Sequence, residues 1–273
     1  MTPDRTLRYA VIGDVGGHHD ALRAEVARLG ADPDTGAIPE NLRIVQVGDL
    51  VHRGPDSRAV VELVDRFLAA SPHGWVQLVG NHEAQYLRAP TFEWHQRLDD
   101  ETIAILRRWW GDGVMHVATV VPAGDADILV THAGLTAGFW REDLGQPGSA
   151  IRAARLLNTM GALGRTSVFR GGVMLGGARS ASAGPVWASA SAELLPSWLG
   201  MRMPFSQIHG HSSAYDWHRG CFRAPEAIAA RTRLDHDSGH EVTRFDGGEI
   251  VGIDPGHGAH VPHPWQAWVT SAA

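Results

Sequence analysis

The chain has 273 residues, 44% of them apolar, and a net charge of −6. That is enough for one large domain or two small ones with a full core. No excess of Lys and Arg is available for sequence-general nucleic-acid binding, which works by cation–phosphate contact. A single cysteine, Cys221, excludes a disulfide within the chain. No run reaches 18 apolar residues, so no membrane-spanning helix is expected. The stretch "MTPDRTLRYAVIG" shows no apolar leader core, so no signal peptide is read there and a cytoplasmic setting is expected.

Short apolar runs alternate with helix-like segments through the first half. "LRYAVIG" (7–13) reads as a buried strand, and "DALRAEVARLG" (20–30) as a helix ending at Gly30. "LRIVQVG" (42–48) is a second strand. "SRAVVELVDRFLAA" (57–70) is a second helix, stopped before Pro72, and "WVQLVG" (75–80) is a third strand. Residues 101–110 read as helical and "DILVTH" (127–132) as another strand. A cap or substrate-facing insertion is expected over roughly 140–200, rich in Gly, Ala and Ser, with a helix at 149–160. "FSQIHGHSS" (205–213) ends a strand on histidines, and "HEVTRFDGGEIVGID" (240–254) reads as a hairpin around Asp246-Gly247-Gly248. Strand–helix alternation argues for an α/β layer architecture with parallel pairing. Without a repeat or a linker, one domain over 1–273 is expected.

Each strand in this reading stops at a cluster suited to metal or phosphate. The clusters are Asp14 in "VIGDVGGHHD", then "GDLVHRGPDS" (48–57), "GNHE" (80–83), "THAG" (131–134) and "HGHSS" (209–213). One such cluster is more often a turn. Five at the carboxyl ends of strands fall where an open α/β sheet forms its ligand crevice.

This ordered set resembles the calcineurin-like metallophosphoesterases over residues 8–254, especially their bacterial and phage Ser/Thr phosphatase and dinucleoside-tetraphosphatase branch. The resemblance implies a four-layer α/β/β/α sandwich and a hydrolase with two divalent ions (Mn, Fe or Zn). Matched residue by residue, it implies Asp14 on metal 1 and Asp49 bridging both ions. Asn81, His132 and His211 would bind metal 2. His82 would face the scissile phosphate and Arg53 its oxygens. Carboxylate, amide and imidazole donors suit such ions. A planar guanidinium matches two phosphate oxygens, and an imidazole can protonate a leaving alkoxide.

Two positions depart from the family pattern. Gly16 stands where most members have the histidine of Asp-x-His, and His52 where the phosphatase branch has the aspartate of "GDxxDRG". The purple acid phosphatases resolve a similar first-motif glycine with a tyrosine three residues after the bridging aspartate. That position here is His52, so His52 is expected to replace the lost metal 1 ligand. His18 and His209 are further candidates, while Ser213 stands where a second "GHxH" histidine would be. The exchange leaves His82 without its usual carboxylate partner, and Glu83 is expected to point elsewhere. Relatives often carry a cap Trp-x-Arg, whereas "GPVWASAS" has no arginine. Arg170 and Arg179 are read as loop charges, and Trp109-Trp110 as core.

The leading expectation is hydrolysis of phosphate monoesters on a protein or small molecule. A dinucleoside-polyphosphate hydrolase fits the same motifs. A metal-poor binding or sensing protein on the same fold is the rival, suggested by Gly16 and His52. A dinucleotide oxidoreductase would need Gly-x-Gly-x-x-Gly, which "GDVGGH" is not. The expected partner is a phosphorylated protein or nucleotide, with no membrane and no general nucleic acid.

Overall fold

Strand β1 (Arg8–Ile12) turns alternate side chains to two different cores: Ala10 and Ile12 to one, Val11 to the other. A segment buried on both faces must be apolar, which is why 10–12 lacks the polar alternation of a half-exposed strand. The computed structural model describes residues 7–92, 94–254, 256 and 265–271; residues 1–6, part of the stretch read for a leader, lie outside them. Strands β2 (Leu42–Gln46), β3 (Trp75–Leu78) and β4 (Met115–His116) extend from β1 in parallel. β13 (Trp268–Ser271) closes the other edge antiparallel to β1, giving the order β13-β1-β2-β3-β4.

Helices α1 (His19–Leu29), α2 (Ser57–Ala70), α3 (Asn81–Leu87) and α4 (Asp100–Gly111) connect these strands. In α2, Val60, Val61, Val64 and Phe67 are buried at helical spacing. The Asp56 side chain accepts from Ala59 N at 2.9 Å and caps its start. Full burial of each such side chain contributes about 1.5–3 kcal/mol.

The second sheet runs β10-β11-β12-β7-β6-β5, formed by β5 (Ala118–Ala123), β6 (Ala126–Thr131), β7 (Gln207–His209), β10 (Thr232–Asp235), β11 (His240–Phe245) and β12 (Gly248–Gly252). Val45, Leu78 and Val11 of the first sheet meet Val130, Ile208 and Val251 of the second in one inter-sheet core. Helix α6 (Ala150–Ala162) covers the outer face of β5 and β6. There Asn158 Oδ1 accepts from Val117 N and Ala118 N, and its amide donates to Ala118 O. Helices α5 (Ala137–Glu142), α7 (Leu195–Ser197) and α8 (Glu226–Ala229), the short pair β8 (Tyr215–Asp216) and β9 (Cys221–Phe222), two short 3₁₀ turns (Thr166–Phe169 and Val173–Leu175) and a π-helical turn (Ala190–Leu194) complete the described elements. The layers are helix, sheet, sheet, helix, as the family resemblance implied.

The expected parallel pairing holds from β1 to β4, but the second sheet is mixed. β5 pairs antiparallel with β6, and β10–β11–β12 form an antiparallel meander. The turns joining those strands are too short for crossovers, so their neighbours run back alongside. Among the described residues no helix is long and apolar enough to cross a membrane.

Candidate active site

The polar clusters meet because the strands that carry them end on one side of the sandwich. Asp14 follows β1, Asp49 follows β2, and Asn81 opens α3 just after β3. His132 directly follows β6, and His211 lies two residues past β7. Five non-glycine residues among those described have positive φ, and four are here: Asp49, His52, Arg53 and His211. Left-handed backbone at such residues costs about 1–3 kcal/mol each and persists only where surroundings over-determine it. At Asp49, Glu83 supplies that constraint. Its carboxylate is fully buried and accepts from Asp49 N (2.8 Å), Leu50 N (2.9 Å) and Gly80 N (2.9 Å). Burial, with Asp49 nearby, pushes the Glu83 carboxyl up to about 7. Glu83 thus points away from His82 and into the loop that carries Asp49.

Asp49, His132 and His211 bring one donor atom each within 4.8 Å of one another, all buried. His132 Nδ1 donates to Val47 O at 3.1 Å, because a carbonyl can only accept. Its Nε2 then lies 3.4 Å from Asp49 Oδ1 and 3.0 Å from Asn81 Oδ1. Burial pushes His132 below its ordinary range, which keeps the ring neutral and leaves Nε2 a lone pair facing a carboxylate oxygen. His211 Nε2 is buried with no hydrogen-bond partner. Lone pairs converging without a shared proton are the arrangement a cation satisfies. Burial by itself would raise Asp49; His82 is the foremost of the neighbours that hold that carboxyl below its usual range.

His82 is placed by two acceptors. Its Nδ1 donates to Val51 O at 2.7 Å, and its Nε2 lies 3.4 Å from Asp49 Oδ2. The Val51 carbonyl fills the orienting role that the sequence left without a carboxylate. Burial pushes His82 down and Asp49 pulls it back up.

Asp14, Gly16, Asp49, Arg53, His82 and Asp254 surround a cavity of about 10 Å³. Asp14 accepts from His211 N at 2.9 and 3.1 Å through its two oxygens. Its carboxyl is pushed well up by burial, then by Asp254 and Asp49.

The structure does not bring His52 to this cluster. Its Nε2 lies 2.6 Å from the Tyr86 hydroxyl, its ring stacks on Trp94 at 4.8 Å, and its Nδ1 has no hydrogen-bond partner. Burial, then His82, pushes it down to about 3. His209 also stays apart: Nδ1 donates to Gly210 O at 2.8 Å, while Nε2 is buried without a partner outside the cluster. His18 is buried ahead of α1 and is not in the cluster either. Ser213 Oγ donates to Tyr215 O at 2.7 Å.

Arg170 makes a two-pronged pair with Asp143 at 2.9 and 3.1 Å, and Arg179 is exposed. Trp109 is core, its Nε1 donating to Asp65 at 2.9 Å, and Trp110 packs partly buried against the same core. Asp254 is the site residue the sequence reading missed. It ends the hairpin read at 240–254 and is itself the last residue of another apolar strand run, the signal used for the five clusters.

Similarity to known proteins agrees with this geometry. The family model described as calcineurin-like phosphoesterase matches residues 7–159, more than half of the chain. Curated proteins offer no match. Among solved structures, the chain is similar to a mutant cold-active protein tyrosine phosphatase (16% identity, 97% of this chain and 74% of that one, TM-score 0.53). It is also similar to the cold-active protein-tyrosine phosphatase of a psychrophile Shewanella sp. (16% identity, 92% and 72%, TM-score 0.52). A third similar structure is a protein serine/threonine phosphatase from Saccharomyces cerevisiae (14% identity, 92% and 80%, TM-score 0.46). The chain belongs to the calcineurin-like phosphoesterase family.

Proposed function

We propose that this phosphoesterase hydrolyses phosphate monoesters with two divalent ions held around Asp49. The observation that carries this reading is the set of lone pairs converging there: His132 Nε2 3.4 Å from Asp49 Oδ1, and His211 Nε2 buried without a partner. Asp49, Asn81, His132 and His211 fit one ion of borderline hardness, with Asp14 beside Asp49 toward the second. Such a pair, when bound, supplies an activated water and charge stabilisation at the phosphoryl group.

The chain's own residues do the rest. Arg53, on the wall of the small cavity with Asp14 and Asp49, orients phosphate oxygens. Burial holds His82 below its ordinary range, while the acceptors Val51 O and Asp49 Oδ2 stand opposite its two nitrogens. His82 holds a proton on Nε2 for the leaving oxygen. Glu83 keeps Asp49 in its left-handed pose. A metal-poor binding role would leave these lone pairs facing each other uncompensated.

A dinucleoside polyphosphate is the second reading, favoured by one cavity. About 400 Å³ in volume, it is lined by Tyr86, Phe92 and Trp94 with Arg88, Arg97 and Arg107. The Trp94 ring lies 4.4 Å from that of His82. Aromatic faces and guanidinium groups suit a base and its phosphates. A cytoplasmic setting belongs to the same reading and is compatible with the lone Cys221.

The test is hydrolysis of an aryl phosphate and of a dinucleoside tetraphosphate by purified protein, with Mn²⁺, Fe²⁺ or Zn²⁺ added and then chelated. Metal-dependent turnover supports the reading, and the better substrate chooses between its two forms. No turnover of either with any of the three ions overturns it.

A further inference from the structure

The first metal position is short of donors. Gly16 has no side chain, Ser213 is engaged with Tyr215 O, and His52 with Tyr86. We propose that Asp254 supplies the missing ligand, so that Asp14, Asp49 and Asp254 form an all-carboxylate half-site. This rests on the two-metal reading.

The backbone puts Asp254 there. A Cβ built on Gly13 would fall 2.3 Å from Ile253 O, so the two chains touch at the mouth of the inter-sheet core. Only a residue without a side chain allows that approach. The residues immediately following the contact are Asp14 and Asp254. Ile253 is also tied down, its N–H donating to His209 O at 2.9 Å. Both carboxylates reach the wall of the same 10 Å³ cavity, which Asp49 completes. A space of that size admits about one water-sized sphere.

Asp254 has no other evident occupation. It is 5% exposed, and the one hydrogen bond on its carboxylate among the described residues is from Gly256 N to Oδ1 at 2.7 Å. Its second oxygen is left for another partner. Three carboxylates around one cavity repel each other strongly in a buried setting, and Arg53 brings only one positive charge. A divalent ion there would be held by hard oxygen donors alone, which favours Mn²⁺ or Mg²⁺. The neighbouring half, with two imidazoles, suits Zn²⁺, Fe²⁺ or Mn²⁺.

The experiment loads metal-free protein with Mn²⁺ and reads ions per chain by equilibrium dialysis and exchange coupling by electron paramagnetic resonance. Wild type should take up about two ions with a coupled signal. Asp254→Asn should take up about one, with an uncoupled signal, and His52→Gln about two. If Asp254→Asn fails to fold, Asp254→Glu serves, with an expected loss of at least tenfold in affinity for the second ion. Two coupled ions in Asp254→Asn, or unchanged second-ion affinity in Asp254→Glu, would overturn the assignment while leaving the two-metal reading intact. Loss of one ion in His52→Gln would overturn it in favour of His52. Wild type that binds fewer than two ions would sink both.

Discussion

The two halves of the site are built from different chemistry. Around His132 and His211 the donors are imidazoles whose other nitrogen or backbone is fixed by the scaffold, as with His132 Nδ1 on Val47 O. Around Asp14 and Asp254 the donors are carboxylates, brought together by a backbone contact between two strand ends at Gly13 and Ile253. The nitrogen half is set by side-chain hydrogen bonds and the carboxylate half by how closely two chains approach. The first kind tolerates backbone change and fails when a side chain is altered. The second fails when a glycine is filled.

Asp49 belongs to both halves, so its loss should have the largest effect. Asp49→Asn should lose aryl phosphatase activity by several orders of magnitude while the circular dichroism spectrum is retained. Activity within about tenfold of wild type would mean that Asp49 does not join the two halves. Next comes His82, on the wall of the small cavity: His82→Asn should cost about 10²–10⁴-fold in kcat, as removal of a general acid does. The loss should be greater for alkyl phosphates, with their poor leaving groups, than for nitrophenyl phosphate. Equal losses on both would argue against proton donation by His82.

On the carboxylate side the sensitive element is backbone. Gly16 has φ +54 with its nearest foreign atom, His52 O, 3.7 Å from a built Cβ. Space is therefore available, and conformation is the obstacle. Gly16→Ala should lower unfolding free energy by about 1–2 kcal/mol, the cost of left-handed backbone for an L-residue. A stability equal to wild type in urea denaturation would show that the loop relaxes freely.

The smallest effect concerns the histidine that lies outside both halves. Burial pushes His209 down to about 4 from an ordinary value of 6.5, so the folded state keeps it neutral while the unfolded chain protonates. A depressed histidine of this kind contributes stability that is fully present above pH 6.5 and is lost as pH falls toward 4. Buried Glu241, raised to about 7 chiefly by burial, works in the opposite direction over part of that window. In chelator, the melting temperature of His209→Gln should therefore fall less steeply from pH 6.5 to 5 than that of wild type. Parallel curves would show that His209 is solvated in the folded state.

Much of this was legible in the chain because it depends on local order. The helix read at 57–70 and stopped before Pro72 has those bounds in the structure. Asp14, Asp49, Asn81, His132 and His211 each follow an apolar run, and a strand end is a local feature. β5 was not found, since "ATVVPA" is half exposed, carries Pro122 and is defined by its antiparallel partner β6. The ligand exchange assigned to His52 followed family spacing. The fold turned that side chain to Tyr86 and Trp94, a stacking among rings 34 and 42 residues away in the chain.

The sequence by itself determined the two-faced burial of β1, the strand–helix alternation of the first half, and which polar residues stand at strand ends. These follow from side-chain periodicity and from residue chemistry, both carried by neighbours in the chain. Only the tertiary structure decided which strand ends meet. Asp254 comes beside Asp14 because β12 lies in the second sheet next to β7 and its end touches the end of β1 at Gly13. That contact joins residues 240 positions apart, and no local periodicity encodes a distance across two sheets.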